Sequence, residues 1–442
     1  MGYFHSVTLE KDYCKGCTNC IKYCPTEAIR VRDGKAQIID ERCIDCGECI
    51  RRCPHQAKKA LTDTLDSLKK FKVNVAIPAP SLYGQFKSNI SVNQILNTLL
   101  KLGFDYVFEA AEAAEIVTAI IKEHLAAGKL KKPAISSACP AVVRLIQVKF
   151  PELLDNIIPL ESPMEIAARI AKDRLGKELK IPQEEIGVFF LSPCPAKVTS
   201  IKNPLGGKKS SVDGVISIID IYAKMITNIV SDYNSQDLQK AGGKGIGWAS
   251  SGGEALALSL DSYLAVDGSE NVIKVLEELE LGRLPEVEFF EGQACLGGCV
   301  GGPLTIENSY VAKKRIRSLV EAANTVSKAD FDRAEILEMI AWTEQLKPRE
   351  IMKLDSDRAK ALEKINKIEE LLQELPGLDC GSCGAPTCRA LAEDIVRGQG
   401  HEFDCIFKLR ERLKLLAENM FELSNKIPPS IAADNKSRGL KE

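Results

Sequence analysis

Sixteen cysteines in 442 residues are the part of this sequence best equipped for chemistry, and their spacing says which chemistry. Eight fall within the first 53 residues as two copies of one unit, Cys14-x2-Cys17-x2-Cys20-x3-Cys24-Pro25 and Cys43-x2-Cys46-x2-Cys49-x3-Cys53-Pro54. Loops this short, with Gly16 and Gly47 between the thiols, let three sulfurs converge on one cubane while the fourth ligand crosses over from the other repeat. Cys14, Cys17, Cys20 and Cys53 are thus expected to hold one 4Fe–4S cluster, and Cys43, Cys46, Cys49 and Cys24 another. A zinc ribbon would use two C-x2-C pairs and leave the third cysteine of each run idle.

A further four, Cys380-x2-Cys383-x4-Cys388-x16-Cys405, close the chain's last cysteine group. Zinc could also take four thiolates there. The middle four lie in three separated pieces: Ser136-Ser137-Ala138-Cys139-Pro140, Leu191-Ser192-Pro193-Cys194-Pro195-Ala196-Lys197, and Cys295-Leu296-Gly297-Gly298-Cys299-Val300-Gly301-Gly302. Any one of these cysteines could be a small buried apolar residue. Taken together, with every other cysteine already assigned in fours, they imply a fourth 4Fe–4S site. The glycines of the third piece suit backbone pressed against a bulky cofactor.

A disulfide framework would need an oxidising compartment. The first residues carry no apolar signal core, so a cytoplasmic location is expected. A net charge of −2 gives no reason to expect nucleic acid or an anionic membrane surface, and no apolar run is long enough to span a bilayer. Hydrophobic content of 45% is ample for a packed core.

Around the cysteines the texture alternates. Val73–Ile77, Asp105–Phe108, Ala134–Ile135, Ile186–Phe190 and, more weakly, Gly245–Trp248 read as strands. Residues 90–102 and Ala111–Ala127 read as helices. Alternation of this kind argues for α/β layers with mainly parallel sheets, whose ligands gather where strands end. Residues 348–373 form a charged helix with Ala361, Ile365, Ile368 and Leu372 on one face, which either packs on the protein itself or forms a dimer seam. A last amphipathic helix carries Ile406, Leu409, Leu413, Leu416 and Met420.

The three middle segments resemble, in order and surroundings, the signature motifs of the FeFe-hydrogenase catalytic domain. Ile77-Pro78-Ala79, Glu161-Ser162-Pro163-Met164 and Ser250-Ser251-Gly252-Gly253-Glu254-Ala255 add to the likeness. The resemblance implies an H-cluster, a 4Fe–4S cubane bridged to a two-iron unit carrying CO, cyanide and azadithiolate. Carried over by position, Cys139, Cys194, Cys295 and Cys299 hold the cubane and Cys299 bridges to the two irons. Lys197 would hydrogen-bond a cyanide, and Pro78 and Ala79 would line the pocket.

The sequence also departs from that family. Its most active members have a proton-relaying cysteine where this chain has Ala138, and an acidic pair where it has Ile120 and Ile121. Ser192 and Gln293 stand in for flanking methionines. A methyl group can neither donate nor accept a proton, so slow turnover and a hydrogen-sensing role are expected. The C-terminal cysteines resemble the single-cluster module of corrinoid iron–sulfur proteins, and their presence resembles the sensory groups without a PAS domain.

The expected architecture is a 2×(4Fe–4S) ferredoxin-like domain over 1–71, a two-lobed α/β H-cluster domain over 72–345, a charged helical linker over 346–375, a small helical 4Fe–4S module over 376–427 and a disordered tail over 428–442. Three accessory 4Fe–4S clusters accompany the H-cluster. The expected partners are H2, protons, maturation proteins, a redox partner (ferredoxin or a signalling protein), and a second copy as a homodimer. A metabolic hydrogenase and a cluster-holding scaffold without the two-iron unit are the rival readings.

Overall fold

The computed structural model describes residues 4–231, 236–323 and 333–426, so the expected tail lies outside the described residues. The chain divides into two bodies. The first comprises Met1–Lys15, Tyr23–Ala28 and Ile38–Met352, the second Gly16–Lys22, Ile29–Gln37 and Lys353–Glu442.

The first body is built on two parallel sheets. One has four strands in the order Tyr106–Val107, Val73–Pro78, Ile186–Ser192, Gly214–Ser217; the other has three, Tyr263–Asp267, Phe289–Gln293, Ala134–Ile135. Ile186–Ser192 and Phe289–Gln293 are buried along their whole length, as parallel strands covered on both faces must be. Val75 lies opposite Val188 and Phe189 opposite Gly214 in register. The helix Val92–Lys101 starts where Ser91 and Gln94 form a reciprocal capping box. The fold is thus the two-lobed, mainly parallel α/β domain expected. A small antiparallel pair, Val7–Leu9 with Lys58–Ala60, accompanies the second cysteine repeat.

One expected element is of the other type. Gly245–Trp248, read as a weak strand, falls in and just after the short helix Gly243–Gly247. A methyl group on Gly245 would lie 2.0 Å from the Ala111 carbonyl oxygen, so the glycines let this helix lie against the helix Ala110–Ala126. Trp248 Nε1 donates to Thr118 Oγ1 at 3.1 Å. A Gly-Ile-Gly-Trp run has no periodicity to distinguish close helix packing from a strand.

In the second body the strands Ile29–Arg32 and Lys35–Ile38 pair through a turn in which Asp33 and Gly34 both have positive φ, the Asp-Gly hairpin signature. The helix Arg358–Glu374 buries Ile368 and Leu371 against Ala390 and Leu391 of the helix Cys388–Val396. Ile365, expected on its buried face, is exposed. The helix Ile406–Ser424 buries none of its residues, and the five apolar side chains named above are all exposed. Among the described residues no helix is long and apolar enough to cross a membrane.

Candidate metal centre and active site

The middle cysteines stand where parallel strands end. Cys139 follows Ala134–Ile135, Cys194 follows Ile186–Ser192, and Cys295 follows Phe289–Gln293. Cys139 and Cys194 are each the residue before a helix whose first position is proline, Pro140 and Pro195. Proline there costs no intrahelical hydrogen bond, and the positive end of each helix faces a sulfur that must be a thiolate to bind metal. The loop to Cys299 needs glycine at Gly298, where φ is +91° and a methyl group would meet the Ser251 nitrogen at 2.4 Å. At Gly302 a methyl group would lie 2.3 Å from the Pro193 carbonyl oxygen.

All four thiols line one cavity, together with Ala79, Pro80, Ser136, Ala138, Lys197, Glu254 and Gln293. Burial pushes three of these thiols up, Cys194 to about 11, Cys295 to about 12 and Cys299 well above its ordinary value, and neighbouring cysteines add to each shift. Four desolvated sulfurs that repel one another as thiolates are unfavourable unless cations replace their protons. The set therefore fits a cubane, and the rest of the cavity wall is largely apolar.

Lys197 lies in the first turn of the helix Pro195–Lys202 and lines both this cavity and a smaller polar one with Glu161 and Glu165. Among the described residues no hydrogen bond or ion pair engages its ammonium. A half-buried cation facing a cavity calls for an anion. Ala79 lines the cavity, whereas Pro78 ends its strand outside the lining and Pro80 is there instead. Ser192 is buried, donating to the Cys194 carbonyl and accepting from its N–H, which fixes the ligand loop. Ile120 and Ile121 are packed in the apolar core.

A group that sequence reasoning missed stands beside Ala138. Ser136 Oγ donates to Glu254 at 2.6 Å and accepts the Ala138 N–H at 3.1 Å. Glu254 is the only carboxylic acid among the described residues lining the cavity. Burial, then the neighbouring Glu291, pushes it up to about 8. Burial raises Glu291 to about 7 although it accepts the Gly252 and Ala255 N–H groups at 2.9 Å. Gln293 Nε2 donates to Glu291 while its own Oε1 is buried without a hydrogen-bond partner among the described residues. Beyond the pair, Lys313 and Ser250 line an open groove. The available signal was Glu291 itself, a charged residue inside the otherwise apolar strand Phe289–Gln293.

The second repeat's quartet comes together in the first body. Cys43 is raised by burial, then by Asp45, Cys49 and Cys24; Cys46 is raised by burial, then by Cys24, and also by Cys43 and Cys295. Cys46 lines the large cavity as well, so this quartet adjoins the middle one. The Ala28 N–H donates to Cys24 Sγ at 3.2 Å and the Ala57 N–H to Cys53 Sγ at 3.3 Å, the same bond in both repeats. Cys14 and Cys53 belong to the first body, Cys17 and Cys20 to the second. In the second body Cys383, Cys388 and Cys405 share one core, and Cys380 acts electrostatically on Cys383.

Strand-end cysteines converging in one cavity, with a second cysteine set adjoining them, define an iron–sulfur protein of α/β architecture. Residues 72–263 match the family described as "Iron only hydrogenase large subunit, C-terminal domain", residues 6–54 a "4Fe-4S dicluster domain", and residues 375–407 a "Putative Fe-S cluster". The central domain thus resembles the iron-only hydrogenase large-subunit family, and the segments on either side of it match iron–sulfur domains.

It is 27% identical over 212 residues to the periplasmic [Fe] hydrogenase large subunit of Nitratidesulfovibrio vulgaris, covering 44% of this chain and 50% of that one. It is 23% identical over 405 residues to iron hydrogenase 1 of Clostridium pasteurianum, covering 73% and 70%. It is also 36% identical over 64 residues to the cytosolic Fe-S cluster assembly factor nar1 of Aspergillus terreus, covering 14% and 11%. The chain thus spans half the length of the first of these relatives.

Proposed function

We propose that this chain interconverts protons and hydrogen, 2H+ + 2e− ⇌ H2, slowly, and that it serves as a cytoplasmic hydrogen sensor. In this reading Cys139, Cys194, Cys295 and Cys299 hold the cubane of an H-cluster, with Cys299 bridging to its two-iron unit. When bound, that group supplies the site at which hydrogen is cleaved or formed. The observation that carries the reading is Lys197, an ammonium engaged by no hydrogen bond or ion pair among the described residues, facing the cavity of the four thiols. A cyanide ligand would satisfy it through a charge-assisted hydrogen bond.

The chain's own residues then have to move protons. Ala138 offers none, whereas Glu254, held near neutrality by burial, can carry one at the cavity wall. Glu291 lies behind it towards the groove of Lys313 and Ser250. With no thiol at position 138, delivery would rest on these buried carboxyls, which supports slow rather than fast turnover. Electrons would come from a redox partner, ferredoxin or a signalling protein, and maturation proteins would install the two-iron unit.

Infrared spectroscopy of chain loaded with the two-iron unit tests this directly: CO and CN stretching bands are expected. Their absence would leave the second reading, a cubane-holding scaffold, which the match to an assembly factor favours. Turnover as fast as a metabolic hydrogenase would remove the sensory part alone.

A further inference from the structure

In the second body, the loop that carries the C-terminal cysteines and the helix after it are fastened to the strand Ile29–Arg32, which follows the first repeat. The Val31 N–H donates to the Gly384 carbonyl at 2.8 Å, and Arg32 Nη1 to the Cys383 carbonyl at 3.0 Å. Arg30 grips Asp394 with two bonds, Nε to Oδ2 at 2.7 Å and Nη2 to Oδ1 at 3.0 Å, and Arg32 adds a third at 2.8 Å. These side chains are 364 and 362 residues from their carboxylate, and both Arg30 and Asp394 are almost fully buried. Fork-to-carboxylate bonds of this kind fix geometry as well as strength.

The glycines of the loop show how close the approach is. A methyl group on Gly381, beside Cys380, would lie 3.5 Å from both Ile21 Cδ1 and Lys22 Cε, which flank Cys20 on the short helix Asn19–Lys22. On Gly384, beside Cys383, it would lie 2.0 Å from the Val31 carbonyl oxygen. Residues adjoining ligands of two different quartets are therefore one side-chain layer apart.

We infer that the C-terminal cluster exchanges electrons with the cluster ligated by Cys17 and Cys20, and that the Arg30–Asp394–Arg32 clamp is the positioning element that holds the two in range. The step moves one electron between two 4Fe–4S clusters, one oxidised as the other is reduced, with no bond or proton change. It rests on the cluster assignments of the proposed function but not on hydrogen chemistry.

The test uses full-length chain reconstituted with iron and sulfide, without the two-iron unit, fully reduced and read by electron paramagnetic resonance. In a Cys43→Ser/Cys46→Ser background, which removes the second-repeat cluster, the C-terminal signal should be broadened by spin–spin coupling. That broadening should be lost when Cys17→Ser/Cys20→Ser is added. A C-terminal spectrum unchanged by the addition overturns the inference. Should these variants not fold, Gly384→Ala keeps every ligand. With iron content retained it should diminish the coupling by forcing the loop off Val31, and undiminished coupling overturns the inference. Failure to find hydrogenase activity or CO and CN bands leaves this outcome untouched, so the two readings fail separately.

Discussion

Ser136 donates its hydroxyl proton to Glu254 across 2.6 Å and accepts the backbone N–H of Ala138. A protonatable carboxyl is thereby tied to the very residue whose side chain can carry no proton. Replacing Glu254 with Gln keeps the shape and removes the exchangeable acid. Hydrogen evolution should fall by about 10²–10⁴-fold, the usual worth of a positioned proton carrier, while CO and CN bands persist. Ala138→Cys should raise the rate. If Glu254→Gln turns over at the wild-type rate, protons enter elsewhere.

The same carboxyls set a pH dependence. Glu254 and Glu291 are raised to about 8 and about 7, chiefly by burial, against about 4.3 for an unfolded glutamate. The folded chain therefore holds more protons than the unfolded one in between, and stability falls with rising pH there. Their contribution is fully present below about 4.3 and is lost as pH rises through 7 to 8. Melting temperature should decline across pH 5 to 8.5, and Glu254→Gln should flatten the decline. An equally steep Gln variant would mean that other groups are responsible.

Lys197→Met retains the stem and deletes the charge. Retention of the two-iron unit should drop by about 10–100-fold, the scale seen when a group orienting a metal site is lost. Cubane iron and sulfide should stay unchanged. Infrared intensity per protein against iron content measures both. Loss of the cubane together with the bands would instead make Lys197 part of the cluster's own support.

Asp394→Ala strands two guanidiniums, Arg30 being almost fully buried. Breaking a buried pair from one side costs about 3–5 kcal/mol, so the C-terminal region should unfold at markedly lower denaturant. Arg30→Leu with Arg32→Leu and Asp394→Leu together should recover much of that loss. Denaturant titration followed at the cluster absorbance gives the comparison.

That the cysteines around 14–24 and 43–53 form iron–sulfur ligand runs was legible in the sequence because such loops are local: C-x2-C-x2-C places three sulfurs with no help from the rest of the chain. The strands Val73–Pro78 and Ile186–Ser192 were legible for a similar reason, being short apolar runs stopped by proline or serine. The Gly243–Gly247 helix was not, since what decides it is how closely it approaches Ala111. Pro80 rather than Pro78 faces the cavity because a strand's end, not its composition, sets which residue turns inward.

By itself, then, the sequence determined the class of chemistry: sixteen thiols, many of them in iron–sulfur spacing, with a lysine three residues past Cys194. Only the tertiary structure brought Ser136 to Glu254, 118 positions on, and Arg30 to Asp394, 364 positions on. Spacing along the chain governs what short loops can enclose. Contacts between distant strands and helices are set by the packing of buried faces, and no local pattern encodes the partner.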